Sequence, residues 1–308
     1  MPRAVRFRRY GGPEVLEVVD VDRPKVGPDE VLVDVVTVAL NPGEIALREG
    51  AFDDVWPADF PEGQGNDFAG IVAEVGGDVT GFAQGDEVIG FAPRAAQAEV
   101  VVVGAGALVA KPAGLTWERA ACIAGVGSTA WAAVEAVQPQ RGETVVVSAA
   151  AGGVGVIAAQ LARLRGARVI GTAGRGNVAF LRDLGVEPVE YGPGLADRLA
   201  AAAPEGIDAY LDNVGDGNVD VAIGLGVRPV RINTIADPGA ARRHGVRSRA
   251  QVDASTPEVW GHLAAMAARG EFVITIAETY ALDEVRQAYR DLAERHTRGK
   301  RVLRIRPA

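Results

Sequence analysis

Val145-Val146-Val147-Ser148-Ala149-Ala150-Ala151-Gly152-Gly153-Val154-Gly155 is the stretch on which the reading of this chain turns. An apolar strand runs into a small-residue turn, and the turn runs into a helix. Ala150-x-Gly152-x-x-Gly155 is the dinucleotide fingerprint with alanine in first place. Gly152 lets the backbone approach a pyrophosphate, and Gly155 lets the helix pack closely on the strand. Gly153 and Val154 open that helix, whose free N–H groups and positive dipole end face an anion. With 39 glycines in 308 residues, a glycine triplet alone means little. Its weight comes from position, with a strand before it, a helix after it and a second strand at the right distance.

Downstream, Val154 to Arg165 reads as a helix, with Val154, Ile157, Leu161 and Leu164 on one face. Strands follow at Ala167 to Thr172, Pro188 to Tyr191, Ile207 to Val214 and Val227 to Ile235. Helices at Asn177 to Leu184 and Leu195 to Ala203 lie between them. Such alternation predicts a doubly wound parallel sheet of Rossmann type. Residues at the carboxyl ends of its strands line the ligand crevice, which makes Thr172, Asn213 and Thr234 candidate cofactor contacts. Asn213 is equally well explained as a turn former.

The second strand bears on the choice of nucleotide. An NAD site wants an acid near its end for the ribose 2′-OH. Arg168 to Asn177 holds no acid, and the first one met is Asp183. Arg175 stands where a 2′-phosphate would lie, and a guanidinium suits that phosphate. The expected cofactor is therefore NADPH.

Before residue 110 the texture differs. Val31 to Leu40, Gly70 to Val75, Glu87 to Phe91 and Ala98 to Val103 are short Val-rich strands, and Gly11-Gly12-Pro13, Asn41-Pro42-Gly43 and Gly76-Gly77-Asp78 are turns. This predicts a small barrel or sandwich. The last fifty residues are mixed: helices at Pro257 to Arg269 and Leu282 to Glu294, strands at Phe272 to Ala277 and Arg301 to Ile305. The expected division is 1–116, 117–256 and 257–308, the last completing the first.

Composition excludes several classes. One cysteine forms no internal disulfide. Cys122, His244, His262 and His296 have no zinc-motif spacing. The net charge of −8 argues against general nucleic-acid binding, and the basic run Arg242 to Arg249 reads as a solvated loop and edge strand. No window of 18 residues is purely apolar, and Met1-Pro2-Arg3 leads into no signal-peptide core. The expectation is a cytoplasmic protein that contacts neither nucleic acid nor membrane. There is no Gly-x-Ser-x-Gly elbow and no Walker A stretch. Cys122, among Ala120, Ala121 and Ile123, reads as a small buried hydrophobe.

Taken together, Tyr10-Gly11-Gly12-Pro13-Glu14-Val15-Leu16, Asn41-Pro42-Gly43-Glu44, Gly65-Asn66-Asp67-Phe68-Ala69-Gly70-Ile71-Val72, Gly85-Asp86-Glu87-Val88, Gly127-Ser128-Thr129-Ala130-Trp131, Ala149 to Gly155 and Gly299-Lys300-Arg301-Val302-Leu303 resemble one family. It is the zinc-independent, quinone-oxidoreductase-like (zeta-crystallin-like) branch of the medium-chain dehydrogenase/reductases. The resemblance implies a GroES-like β-barrel domain beside the Rossmann domain, with the cofactor in the cleft between them. It implies a homodimer through Rossmann edge strands, with the Val246 to Val252 segment as that strand. Zinc-dependent relatives carry Gly-His-Glu where Gly65-Asn66-Asp67 stands, so a metal-free site is implied. It further places Asn41 near the nicotinamide, Thr129 and Lys300 against the cofactor, and Tyr191 beside the 2′-phosphate. Three departures bear on the substrate. Glu44 replaces the usual Asp, Ala46 and Leu47 interrupt a Tyr-x-x-x-Gly pattern, and Thr234-Ile235 replace a glycine.

The implied chemistry is hydride transfer from NADPH to a small-molecule electron acceptor, a quinone or another activated double bond of an enone or enal. Asn41 is the candidate hydrogen-bond donor to the acceptor oxygen, unless it merely starts an Asn-Pro turn. Water delivers the proton, with Tyr10 as second candidate. Three functions stay open: a quinone or enone reductase, a biosynthetic enoyl reductase on a pathway intermediate, and an NADPH-binding sensor or structural protein with incidental activity.

Overall fold

The computed structural model describes residues 1–295 and 297–307, so His296 lies outside the described residues. The chain forms two compact units. One comprises Met1–Gly125, Thr256–Glu271 and Ile276–Ala308; the other comprises Val126–Ser255 and Phe272–Thr275.

The first unit opens with β1 (Arg3–Phe7), β2 (Glu17–Asp20), β3 (Glu30–Ala39), α1 (Pro42–Arg48), β4 (Glu62–Gly63), β5 (Asp67–Val75), β6 (Glu87–Phe91), β7 (Val100–Gly104), β8 (Leu108–Ala110) and α2 (Trp117–Ala120). The ten-residue β3 organises it. It pairs antiparallel with β5 along its length and with β7 through Glu30 to Asp34. Val31, Val33, Val35 and Val38 are buried in one core with Phe68 and Val72, each burial worth about 1.5–3 kcal/mol.

The second unit contains α3 (Ser128–Val137), β9 (Thr144–Val147), α4 (Gly153–Leu164), β10 (Arg168–Ala173), α5 (Val178–Asp183), β11 (Glu187–Glu190), α6 (Leu195–Ala202), β12 (Ala209–Asp212), α7 (Asn218–Gly224), β13 (Ile232–Thr234) and α8 (Pro238–His244). Its sheet has the order β11-β10-β9-β12-β13, and every pairing is parallel. The order reverses at β9, the topological switch point of a Rossmann sheet. All four residues of β9 are buried, as a strand covered on both faces requires.

The chain then returns to the first unit through α9 (Pro257–Ala268), β14 (Ile276–Ala281), α10 (Val285–Ala293) and β15 (Lys300–Arg304). The last strand pairs antiparallel with β3 and parallel with β14.

Several boundaries differ from the sequence reading. Residues 117–125 fall in the first unit, where α2 packs on β3 and β5. Phe272–Thr275 is not a strand. Its backbone is clasped by Gln160 of α4, which donates to the Val273 carbonyl at 2.9 Å and accepts from its N–H at 2.9 Å. The strand expected over Val227 to Ile235 shrinks to Ile232–Thr234, because a 3₁₀ turn occupies Pro229–Arg231. The edge strand expected over Val246 to Val252 is reduced to one bridge, Asn233 to Arg247. The Asn233 amide then binds both the N–H and the carbonyl of Arg249, and Gln251–Asp253 turns away as 3₁₀.

Candidate functional site

In the second unit the glycine turn is built by close approach. Ala149 takes φ +46°, its carbonyl accepts from Gly152 N at 2.8 Å, and Ala150 N donates to Thr172 O at 3.0 Å. A Cβ on Gly155 would lie 2.1 Å from Ala149 O and 2.9 Å from Ala150 Cα, so only glycine fits. A Cβ on Gly152 would meet Ala149 alone. The N–H groups of Gly153, Val154 and Gly155 lie in the first turn of the twelve-residue α4 and have no intrahelical acceptor. The turn therefore offers a row of N–H donors without intrahelical acceptors, which fits a diphosphate.

Beside it, the carboxylate of Asp212 is a buried hub. Ser148 Oγ donates to it at 3.0 Å and Thr234 Oγ1 at 2.7 Å, and the N–H groups of Val214 and Gly215 donate at 3.0 Å. The Thr234 hydroxyl also accepts from Ala236 N and Asp237 N. Thr234 is thus fully buried and committed to bracing the strand ends, which corrects its reading as a cofactor contact. Thr172 is buried as well, and the turn uses its carbonyl. Asn213 donates through Nδ2 to Ser148 O at 2.8 Å. Its Oδ1 is buried with no partner among the described residues, an acceptor suited to an incoming hydroxyl.

At the ends of β10 and β11, Arg175, Glu190 and Tyr191 gather around Gly174. Parallel register sets Ala173 beside Glu190. Arg175 Nε donates to both Glu190 oxygens at 2.9 Å, while the arginine side chain stays 86% exposed. The Tyr191 hydroxyl lies 3.4 Å from where a Gly174 Cβ would be. Arg175 is where a 2′-phosphate reader would stand. Glu190 is an acid that reading β10 alone does not find, because the neighbouring strand delivers it.

In the first unit Asn41 is the centre of a buried polar network. Lys300, 4% exposed, donates through Nζ to Leu40 O and to Asn41 Oδ1, the latter at 2.8 Å. Asn41 Nδ2 donates to Asp67 Oδ2 at 2.7 Å and to Glu44 Oε1 at 3.0 Å. Tyr289 of α10 donates to Glu44 Oε2 at 2.6 Å and accepts from Gln97 Nε2 at 2.7 Å. Glu44 also reaches back to Asn41 N at 3.0 Å, as an N3 residue of α1 does for its N-cap. Burial raises the Asp67 carboxyl to about 7, and the nearby Glu44 carboxylate adds to the shift. Burial raises Glu44 too, against its bonds from Tyr289 and Asn41.

This geometry corrects the expected role of Asn41. Both amide hydrogens are taken by carboxylates, and the Lys300 ammonium fixes the amide's orientation, so neither hydrogen is free for an acceptor oxygen. Tyr10 is also engaged. Its hydroxyl donates to Asp53 and accepts from Ala58 N at 2.8 Å, and the Asp53 carboxylate raises its pKa. It clamps the loop after α1 and is a poor acid. Asn66, where zinc-dependent relatives carry His, accepts from Arg94 N at 3.0 Å and donates to Glu44 at 3.3 Å. Among the described residues no three His, Cys, Asp or Glu side chains cluster as a metal site would require. Thr129 is half-buried in the first turn of α3. Burial pushes the Cys122 thiol up to about 12, in keeping with a buried small side chain. No described helix is long and apolar enough to cross a membrane.

Residues 27–113 match the alcohol dehydrogenase GroES-like domain, and residues 178–303 match the zinc-binding dehydrogenase domain. A quinone oxidoreductase from Pseudomonas aeruginosa is 31% identical over 327 residues, covering 98% of this chain and 99% of that protein. The quinone oxidoreductase structure from Coxiella burnetii superposes with a TM-score of 0.87 at 28% identity, covering 99% of each chain. The spectinabilin polyketide synthase system protein NorB of Streptomyces orinoci is 30% identical over 322 residues, covering 98% of this chain and 14% of that protein. With the nucleotide turn, the paired domains and this full-length identity in place, the chain belongs to the quinone-oxidoreductase-like branch of the pyridine-nucleotide-dependent medium-chain dehydrogenase/reductases.

Proposed function

We propose that this protein is an oxidoreductase that transfers hydride from NADPH to a quinone or to the activated double bond of an enone or enal. The observation that carries the reading is the turn from Ala149 to Gly155, with its row of N–H groups and its exclusion of any side chain at Gly155. When bound, NADPH supplies the hydride. Gly153, Val154 and Gly155 hold the diphosphate, Asn213 Oδ1 accepts from a hydroxyl, and Arg175 with Tyr191 reads the 2′-phosphate.

Hydride transfer needs the reacting carbons held about 3–3.5 Å apart and donors for the acceptor oxygen. Asn41 acts here as a positioning residue. It serves an acceptor directly only by trading one of its bonds to Asp67 or Glu44, and Lys300 keeps its amide aligned for that trade. The proton comes from water, since Tyr10 is committed to Asp53. The reading includes a metal-free site, a cytoplasmic location and a homodimer. The dimer is supported by the outer position of β13 in its sheet and the exposure of Val230 directly before it.

One observation favours a second reading, a biosynthetic enoyl reductase: the full-length match to a segment of a polyketide synthase system protein. Oxidation of NADPH in the presence of simple quinones and enones tests the first reading. Turnover only with a carrier-bound or pathway-derived enoyl thioester supports the second. Tight NADPH binding with no turnover on any acceptor leaves the sensor reading and removes both.

A further inference from the structure

Resting on the proposed nicotinamide-nucleotide reading, we infer that Glu190 is a specificity-determining residue that competes with the 2′-phosphate of NADPH for Arg175 and accepts the 2′-OH of NADH, so that the protein binds both nucleotides. A site built only for a 2′-phosphate would leave its arginine free or pair it with neutral acceptors. Here, by contrast, the Nε edge of Arg175 is held by both oxygens of Glu190 at 2.9 Å. The register that sets Glu190 beside Ala173 puts a fixed negative charge at the end of β10, where a dinucleotide fold reads the adenosine ribose. The Glu190 backbone is held too, because Arg198 Nε donates to its carbonyl at 2.8 Å.

Two consequences follow with opposite signs. A bound 2′-phosphate must draw Arg175 from Glu190 or share it, and its charge then sits near a carboxylate, which weakens NADPH binding. A 2′-OH has no charge to repel, and a carboxylate is a strong acceptor for it, which strengthens NADH binding. Glu190 therefore narrows a preference that Arg175 and Tyr191 alone would make wide. The Arg175–Glu190 pair is exposed, so the exchange costs little and both nucleotides can be accommodated.

The test is calorimetric titration of the full chain with NADPH, NADH, 2′-AMP and 5′-AMP, for the wild type and for E190A and E190Q. Both substitutions replace a partly exposed side chain. E190A should tighten NADPH a few-fold, as removal of an exposed like charge does. It should weaken NADH a few-fold, as loss of one hydrogen-bond acceptor does. The NADPH-to-NADH preference then widens about tenfold. E190Q keeps an acceptor and loses the charge, so it should tighten NADPH and leave NADH near the wild-type value. The fragment 2′-AMP should follow NADPH, and 5′-AMP should show no gain. If both nucleotides bind and the variants change them equally or not at all, Glu190 is not a specificity determinant and the inference is overturned while the nucleotide reading stands. If no nucleotide binds the wild type, the proposed function fails and this inference fails with it.

Discussion

Replacing Asp67 by asparagine probes the buried network most sharply. Asp67 is 1% exposed. Its Oδ2 accepts from Asn41, and its Oδ1 has no partner among the described residues. Burial, with the Glu44 carboxylate nearby, raises its pKa from 3.8 to about 7. In the unfolded chain the group has lost its proton above about pH 4, whereas in the folded protein it keeps it until about pH 7. The folded state thus binds the extra proton within that window, and stability falls as pH rises through it, by about 1.4 kcal/mol per pH unit. Across the window the loss amounts to about 4 kcal/mol. The amide that D67N introduces has no proton to lose and keeps an oxygen for Asn41. The stability difference between D67N and wild type should therefore widen by about 2–3 kcal/mol in favour of the variant between about pH 5 and pH 8. Urea unfolding followed by circular dichroism at each pH measures it. Parallel pH profiles for the two proteins would refute the assignment of a raised carboxyl at Asp67.

Gly155→Ala would put a methyl 2.1 Å from Ala149 O. It should cost about 1–3 kcal/mol of stability, as overpacking does, and abolish measurable NADPH binding by titration. Arg175→Ala should weaken NADPH about tenfold, the scale of one charge-assisted hydrogen bond, and leave NADH nearly unchanged; equal loss for both nucleotides would remove Arg175 as a phosphate reader. Asn41→Ala leaves the Lys300 ammonium and two carboxylates without their shared partner. It should lower both the urea midpoint and turnover on a good quinone, by about 1–3 kcal/mol in stability; unchanged turnover would take Asn41 out of the mechanism.

The nucleotide turn was legible because its constraint is local: Ala149, Ala150 and Gly155 meet within one strand-turn-helix, and Gly155 has no alternative there. The valine strands of the first unit were legible because burial imposes their composition. What the sequence hid depends on register and long-range closure. Glu190 reaches Arg175 only because β10 and β11 pair in parallel with Ala173 beside Glu190. The Asn41 network draws Glu44, Asp67, Tyr289 and Lys300 from four separate stretches. Tyr289 has no local signal, since it lies in an amphipathic helix whose buried face reads as ordinary core. The family pattern pointed to Asn41 and Lys300 but not to how they spend their hydrogen bonds. Phe272–Thr275 misled because its apolar residues suit a strand, whereas Gln160 satisfies the backbone of Val273 instead.

If the protein moves hydride from a bound nicotinamide nucleotide to an activated double bond, a label on that hydride must travel with it. The decisive experiment uses NADPH deuterated at the hydride-bearing carbon, an enone acceptor and mass spectrometry of the product. Hydride transfer predicts one deuterium on the β-carbon and a solvent-derived proton on the α-carbon. Absence of NADPH oxidation with every quinone, enone and enal tried, or a product whose β-hydrogen comes from water, would contradict it.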